Sequence, residues 1–390
     1  MRRLLIGLAL VAAMAPALAA ACGGFVPGST GEITQNEQRI IFAVDRAAGT
    51  VTMYEQIAYT GDAAEFAWII PVPNDPVVDV LESDEPFREL ANLTRPRFNY
   101  PAAPRCPEDD TARDGVGALP PAAGGGGVNV TQQGSVGPYD YAVVGGENPA
   151  EIGDWLRANS YRISPDVEQK LAIYTDMQML FLALKLRGEA DSSAIKPIKY
   201  TIKASDPMIP IQLSAIAAAP DTQLNLWFFA DEQIAPANAK RLLIQPDDLR
   251  LSYQRFGGHS TDYEGVRRAA IDAEQGHGLV AQYAGRPADL KDPLLRELAA
   301  QQPYLTKLYG EMSPAEMNLD LMFAGDASLP DVANTFDLSA RPSPRVCEDG
   351  VLASAARSTV GRTLIWVVGG AGALALVAGT ALVLRRRRTV

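Results

Sequence analysis

The spacing of apolar residues along this chain changes several times, and each change marks an element. Residues 38–45 carry a β-branched run, Ile40-Ile41-Phe42-Ala43-Val44. A polar turn, Arg46-Ala47-Ala48-Gly49, follows it. Residues 50–59 then alternate, with Val51, Met53, Ile57 and Tyr59 on one face. A period of two on both sides of a short turn predicts a β-hairpin. Residues 66–72 predict a third, buried strand ended by Pro71 and Pro73, because proline has no N–H for the ladder. Residues 84–93 return Phe87, Leu90 and Leu93 to one side, which is helical spacing.

Residues 101–127 break the pattern with five prolines and the run Gly124–Gly127. Such a stretch buries too little apolar surface to offset ordering, so it predicts a loop within the domain. Asn148-Pro149 and Ser164-Pro165 open helices that run to Leu156 and Asp176. Strands are expected at 179–187, 196–204, 209–216 and 223–230. In the second, Ile198, Tyr200 and Ile202 alternate with lysines and a threonine. From Arg250 onward the spacing predicts helix. Thr261-x-x-Glu264 and Ser313-Pro314-Ala315-Glu316 read as capping boxes, and Asp292-Pro293 as a helix start. The expected fold is therefore α+β: mixed or antiparallel sheets with helices packed on one face, then a helical C-terminal portion.

The two ends predict a location. Arg2-Arg3, an apolar run to Ala13 and a small-residue exit at 17–21 read as a secretory signal peptide over residues 1–21. Residues 363–384 carry no charge and are followed by Arg385-Arg386-Arg387-Arg388. As a helix they would span roughly 33 Å, enough for a hydrocarbon core of about 30 Å. The arginines would hold the tail, 385–390, on the cytoplasmic side. Residues 22–330 are then the extracytoplasmic domain and 331–362 a stalk. The expected location is the cell membrane, crossed once, with that domain outside.

Charge and cysteine content sharpen this. Six arginines lie in the terminal segments, so the part between carries 29 basic against 46 acidic residues. That acidity disfavours nucleic acid as a partner. Lysine is scarce beside arginine, which suits a GC-rich bacterial coding sequence. The three cysteines are Cys22, Cys106 and Cys347. An oxidising compartment favours one disulfide, with Cys106–Cys347 the leading pair and Cys22–Cys106 the alternative. Cys22 also follows Leu18-Ala19-Ala20-Ala21, one place off the spacing of a lipoprotein signal.

Chemistry-bearing motifs are sparse. Two histidines, His259 and His277, fall short of a zinc ligand set, and no H-E-x-x-H or C-x-x-C occurs. A G-x-S-x-G elbow is missing, and Ser193-Ala194-Ile195-Lys196 lacks the K-T-G that accompanies S-x-x-K in penicillin-interacting enzymes. Gly124–Gly127 lacks the Gly-Lys-Ser/Thr of a phosphate loop. The acidic loop at Asp109, Asp110 and Asp114 fails the calcium ligand spacing. No metal or cofactor is expected. Ala371, Ala375 and Gly379 would let two membrane helices pack closely, so a homodimer is one option.

Several stretches together resemble one family: Cys22-Gly23-Gly24-Phe25, QNEQRIIFAVD at 35–45, FAWIIPVP at 66–73, VGPYDYAVV at 136–144, WLRANSY at 155–161, LFLALKL at 180–186, GHGLVAQYAG at 276–285 and YLTKLYGEMSPAEMNLDLMF at 304–323. The chain resembles the bacterial domain of unknown function 2330. That resemblance implies secretion and frequent C-terminal anchoring, with no established activity and no catalytic residues. Relatives carry a second cysteine where this chain has Val26-Pro27, so no disulfide pattern is carried over.

By subtraction, the sequence points to a non-enzymatic protein that binds or scaffolds an extracytoplasmic protein or envelope component. Its candidate contact surface is the 101–127 loop with the tip Pro73, Asn74, Asp75 and Pro76, since binding residues favour loops on a rigid scaffold. The alternative is an extracytoplasmic hydrolase whose carboxylates, distant in sequence, converge in space.

Overall fold

In a computed structural model, residues 18–20, 24–26, 34–60, 67–102, 132–146, 148–158, 165–186, 195–254 and 258–342 are described. They fall into two units. The first comprises Met1–Phe98, Gly115–Asp248 and Glu264–Phe336, and the second Asn99–Asp114, Leu249–Tyr263 and Asp337–Val390.

The first unit is built on an eight-stranded sheet. Its order is β15 (Lys240–Leu242), β18 (Gly278–Gly285), β19 (Tyr304–Met312), β13 (Ala218–Ala230), β3 (Thr34–Asp45), β4 (Thr50–Thr60), β11 (Ile198–Lys203) and β6 (Val77–Val80). The expected hairpin is β3–β4, with Asp45 opposite Thr50. Its turn needs Gly49, whose φ of 64° is strained for a side chain. β3 also runs parallel to β13, far away in sequence.

A five-stranded sheet follows the order β2 (Gly24–Val26), β5 (Ala67–Val72), β10 (Leu180–Leu186), β9 (Tyr139–Val144) and β8 (Gln132–Val136). β5 continues through Pro71 instead of stopping there. β2 pairs with it only as far as Ile69, so beyond that residue this side of the strand is an edge. A four-stranded sheet has the order β1 (Leu18–Ala20), β12 (Asp206–Ile209), β20 (Leu321–Gly325) and β14 (Ile234–Pro236). The last residues of the expected leader thus pair with β12 in parallel. β7 (Arg97–Asn99) and β21 (Thr335–Asp337) form a separate two-stranded pair.

The sheets stack face to face. Ile40, Phe42, Leu226, Phe228, Tyr200 and Leu308 of the large sheet share one core with Trp68, Ile70, Leu182, Leu184 and Val143 of the five-stranded sheet. Phe42 and Phe228 stack at 4.6 Å between ring centroids. Helices cover the outer faces. α2 (Pro149–Ala158) and α3 (Pro165–Asp176) lay Ile152, Leu156, Leu171 and Tyr174 against Ile69, Phe181 and Ala183. On the opposite side, α1 (Glu85–Thr94) and α6 (Pro293–Gln301) lay Phe87, Leu90, Leu295 and Leu298 against Ile41, Trp227, Phe229 and Leu305. α5 (Tyr263–Asp272) places Ile271 on Val280 and Tyr309. The first unit is therefore a four-layer α/β/β/α sandwich.

This corrects the expected α+β fold, because the described residues are mostly β. Helices flank both outer faces, not one, and the C-terminal portion is not helical. After Arg250, α5 and α6 are short and alternate with β18, β19, β20 and β21. The strands escaped notice because both faces of the large sheet are buried, which erases the period of two. In β19, Thr306, Lys307 and Glu311 are also buried, so the segment did not read as apolar. Residues 209–216 are likewise not one strand. β12 ends at Ile209, and Pro210 leads into the single turn α4 (Ile211–Ser214). At the second expected capping box, Glu316 accepts from the Ser313 N–H at 2.7 Å, yet only a turn forms before β20.

The start of the expected stalk belongs to this unit, since Val332 and Ala284 exchange backbone hydrogen bonds of 2.9 Å. No helix among the described residues is long and apolar enough to cross a membrane. The expected spanning segment 363–384 and most of the leader lie outside the described residues.

In the second unit β16 (Leu251–Gln254) and β17 (Gly258–Thr261) form an antiparallel hairpin. His259 stacks on Tyr100 at 5.6 Å and tilts against Tyr253 at 4.9 Å.

Candidate functional site

α1 is amphipathic, and its polar side faces the connection between β18 and α6. Phe87, Leu90 and Thr94 turn into the sheet. Glu85, Glu89, Asn92 and Leu93 turn outward, and with Arg97, Tyr283, Arg286, Ala288, Asp289, Lys291, Asp292 and Pro293 they line a cleft of about 770 Å³. Leu93 and Tyr283 are half-buried and join the apolar cluster beneath.

Hydrogen bonds fix the walls. The Glu89 carboxylate accepts from the backbone N–H of Lys291 at 2.7 Å and of Asp292 at 2.8 Å, so α1 holds the connection in place. Asp292 caps α6 by accepting from the Leu294 and Leu295 N–H groups at 2.8 and 3.2 Å. That satisfies donors a helix start leaves open. Glu85 pairs with Arg88. The Tyr283 hydroxyl donates to the Arg286 carbonyl at 3.1 Å, and burial, then the nearby Asp331 charge, pushes its pKa up.

The acids of the cleft are thus largely committed to its own frame. Its cations are not. Arg97, Arg286 and Lys291 are exposed, and among the described residues no carboxylate forms an ion pair with any of them. Among the described residues the Arg97 guanidinium reaches only the Asn92 carbonyl, at 3.4 Å. The lining contains no Ser, Thr, Cys or His. The arrangement offers donors and an apolar floor to a ligand.

A buried polar network lies on the same face of the large sheet. Lys307, the register partner of Tyr283, is 3% exposed. Its ammonium donates to Asn225 Oδ1 and lies 4.1 Å from the centroid of the Trp227 ring. Asn225 Nδ2 donates to Glu37 at 2.7 Å, and Glu37 pairs with Arg39 at 2.7 Å. Burial drives the Lys307 pKa well below its usual value. The Glu37 charge opposes this, and Arg267 and Arg39 add to it. Beyond, Arg267 of α5 lies over Tyr309 at 3.8 Å, and Arg268 pairs with Glu311 at 2.5 Å. Burial pushes the Tyr309 pKa up. Trp227 in turn donates to Thr94 of α1 at 3.0 Å, which ties the network to the helix that walls the cleft.

The residues singled out in the sequence do not meet at this cleft. At the 73–76 tip, Asn74 is committed to Lys203, donating to its carbonyl at 2.8 Å and accepting from its N–H at 3.0 Å. Pro76 is buried, Pro73 is half-buried and Asp75 is exposed. The next residue, Val77, is 73% exposed on the sheet edge. Residues 103–127, Cys22, Cys106 and Cys347 lie outside the described residues, and so does the candidate disulfide. His259 belongs to the aromatic cluster of the second unit. His277 follows α5, with its carbonyl accepting from Lys240 N–H at 2.8 Å. Lys196 pairs with Glu82. No group of three or more His, Cys, Asp or Glu among the described residues is placed to hold a metal.

Sequence reasoning missed Glu89, Arg97, Arg286 and Lys291, because the two segments that supply them lie about two hundred residues apart. Tyr283, Lys307, Tyr309 and Glu311 were visible only as parts of GHGLVAQYAG and YLTKLYGEMSPAEMNLDLMF. Those stretches and QNEQRIIFAVD supply Glu37, Arg39, Lys307, Tyr309 and Glu311 of the network.

Fold and cleft together define a four-layer sandwich domain with a charged surface site. The chain belongs to the family described as uncharacterized protein conserved in bacteria (DUF2330), which matches it over residues 16–324. Neither a curated protein nor a solved structure matches it.

Proposed function

We propose that this chain is a bacterial envelope protein, exported by its leader, tethered by residues 363–384, and binding a small molecule in the cleft between α1 and the β18–α6 connection. The observation that carries the binding role is the division of labour in the lining. The carboxylates Glu89 and Asp292 hold the frame, while Arg97, Arg286 and Lys291 are left for an occupant. Clefts of this size with a few convergent polar groups over an apolar floor are the usual form of a small-molecule site. The location rests on the pattern of the two ends.

The test is a benzophenone amino acid placed at Ala288 in the lining or at Met177, an exposed residue elsewhere. Intact cells are irradiated and the full chain is weighed by mass spectrometry. Position 288 should gain an adduct of discrete mass that position 177 lacks. Identical adduct profiles at both positions would refute the site.

A further inference from the structure

We infer that the occupant of this cleft is a small amphiphilic anion, with a phosphate or carboxylate head and a short apolar body. This rests on the cleft being a binding site. The head is specified by three cations on different segments. Arg97 follows α1, Arg286 begins the β18–α6 connection, and Lys291 lies near its end. Their N–H donors have no carboxylate partner among the described residues, and guanidinium groups suit the paired oxygens of such heads. Among the described residues Asp289 is the one acid of the lining not tied to the frame, and it sits in a left-handed turn at φ 58°.

The lining sets these three cations against four carboxylates, Glu85, Glu89, Asp289 and Asp292, so its net charge is not reversed from that of the rest of the chain. The part between the terminal segments is strongly acidic, so its overall field repels anions. An anion must then be recognised by short-range hydrogen bonds and not by long-range attraction. The apolar body is specified by Leu93, Tyr283 and Ala288 in the lining. The start of α6 contributes nothing to the head, because the Asp292 carboxylate already occupies its open N–H groups.

The experiment titrates the full chain, held in nanodiscs of zwitterionic lipid, with hexyl phosphate, hexanoate and hexylamine, following heat. A parallel set of discs contains anionic phosphatidylglycerol. The variants are Arg286→Glu with Lys291→Glu, and Ala288→Trp, all at exposed positions. At least one of the two anions should bind and hexylamine should not. The double reversal should weaken binding roughly tenfold or more. If the anionic head normally comes from a lipid, the anionic discs alone should suppress the heat. No heat from either anion, equal binding of hexylamine, or indifference to the double reversal overturns the inference. Hexylamine binding that Ala288→Trp removes would leave the cleft a binding site for another ligand. Binding that Ala288→Trp leaves untouched would sink the site itself.

Discussion

Lys307 is the residue whose surroundings most constrain its chemistry. A buried ammonium normally keeps a carboxylate within reach. Here the acceptor is Asn225, and Glu37 acts one residue further out. The consequence is a stability that depends on pH. The folded-state pKa is depressed by burial, while the unfolded chain titrates near the ordinary lysine value of about 10.4. Between those values the unfolded form carries the extra proton, so stability rises with pH across the window and the rise ends near about 10.4. Melting of the full chain at pH 7 and pH 9.5 should show this rise, and Lys307→Met should remove it. Tyr309 does not confuse the reading below about pH 10, because its raised pKa affects stability only where the unfolded tyrosine begins to ionise. No rise in the natural chain would mean the amine stays charged in the folded state, and a rise that persists in Lys307→Met would mean another group causes it.

Elements were legible where one face meets solvent or a cap is local. α1 followed from its apolar spacing, and α2 and α3 from Asn148-Pro149 and Ser164-Pro165 at their starts. The β3–β4 hairpin followed from alternation around Gly49. β18 and β19 did not, because strands covered on both faces lose alternation and β19 buries polar groups in a network no local pattern reveals. The Asp292 cap was readable in Asp292-Pro293, but its second task was not. The same residue is fastened by Glu89, whose partner segment lies far along the chain. Asp292→Ala should cost about 1 kcal/mol through loss of the cap. It should also speed amide exchange at Leu294 and Leu295, the two N–H groups it accepts from. Unchanged exchange at both amides would show that the cap carries no stability.

At the scale of the molecule, the sandwich explains why so much of the chain is apolar without being regular. Four layers make three interfaces, and each sheet must be hydrophobic on both sides. The central pairing of β3 with β13 joins segments well over a hundred residues apart, which local periodicity cannot foresee. The cleft arises at the same scale, since α1 and the β18–α6 connection meet only after the sheet has formed. A site built that way should have a thermodynamic signature, because a ligand bound only by the folded state raises stability by mass action. At about one hundred times its dissociation constant this amounts to about 2.7 kcal/mol. For a domain of roughly three hundred residues that is a melting shift of about 4 °C. The deciding measurement compares the melting of the full chain in intact spheroplasts and in extensively washed membranes, for the natural sequence and for Ala288→Trp. The natural chain should lose several degrees on washing while Ala288→Trp stays constant. An equal loss in both, or no loss in either, would contradict a ligand held between α1 and the β18–α6 connection.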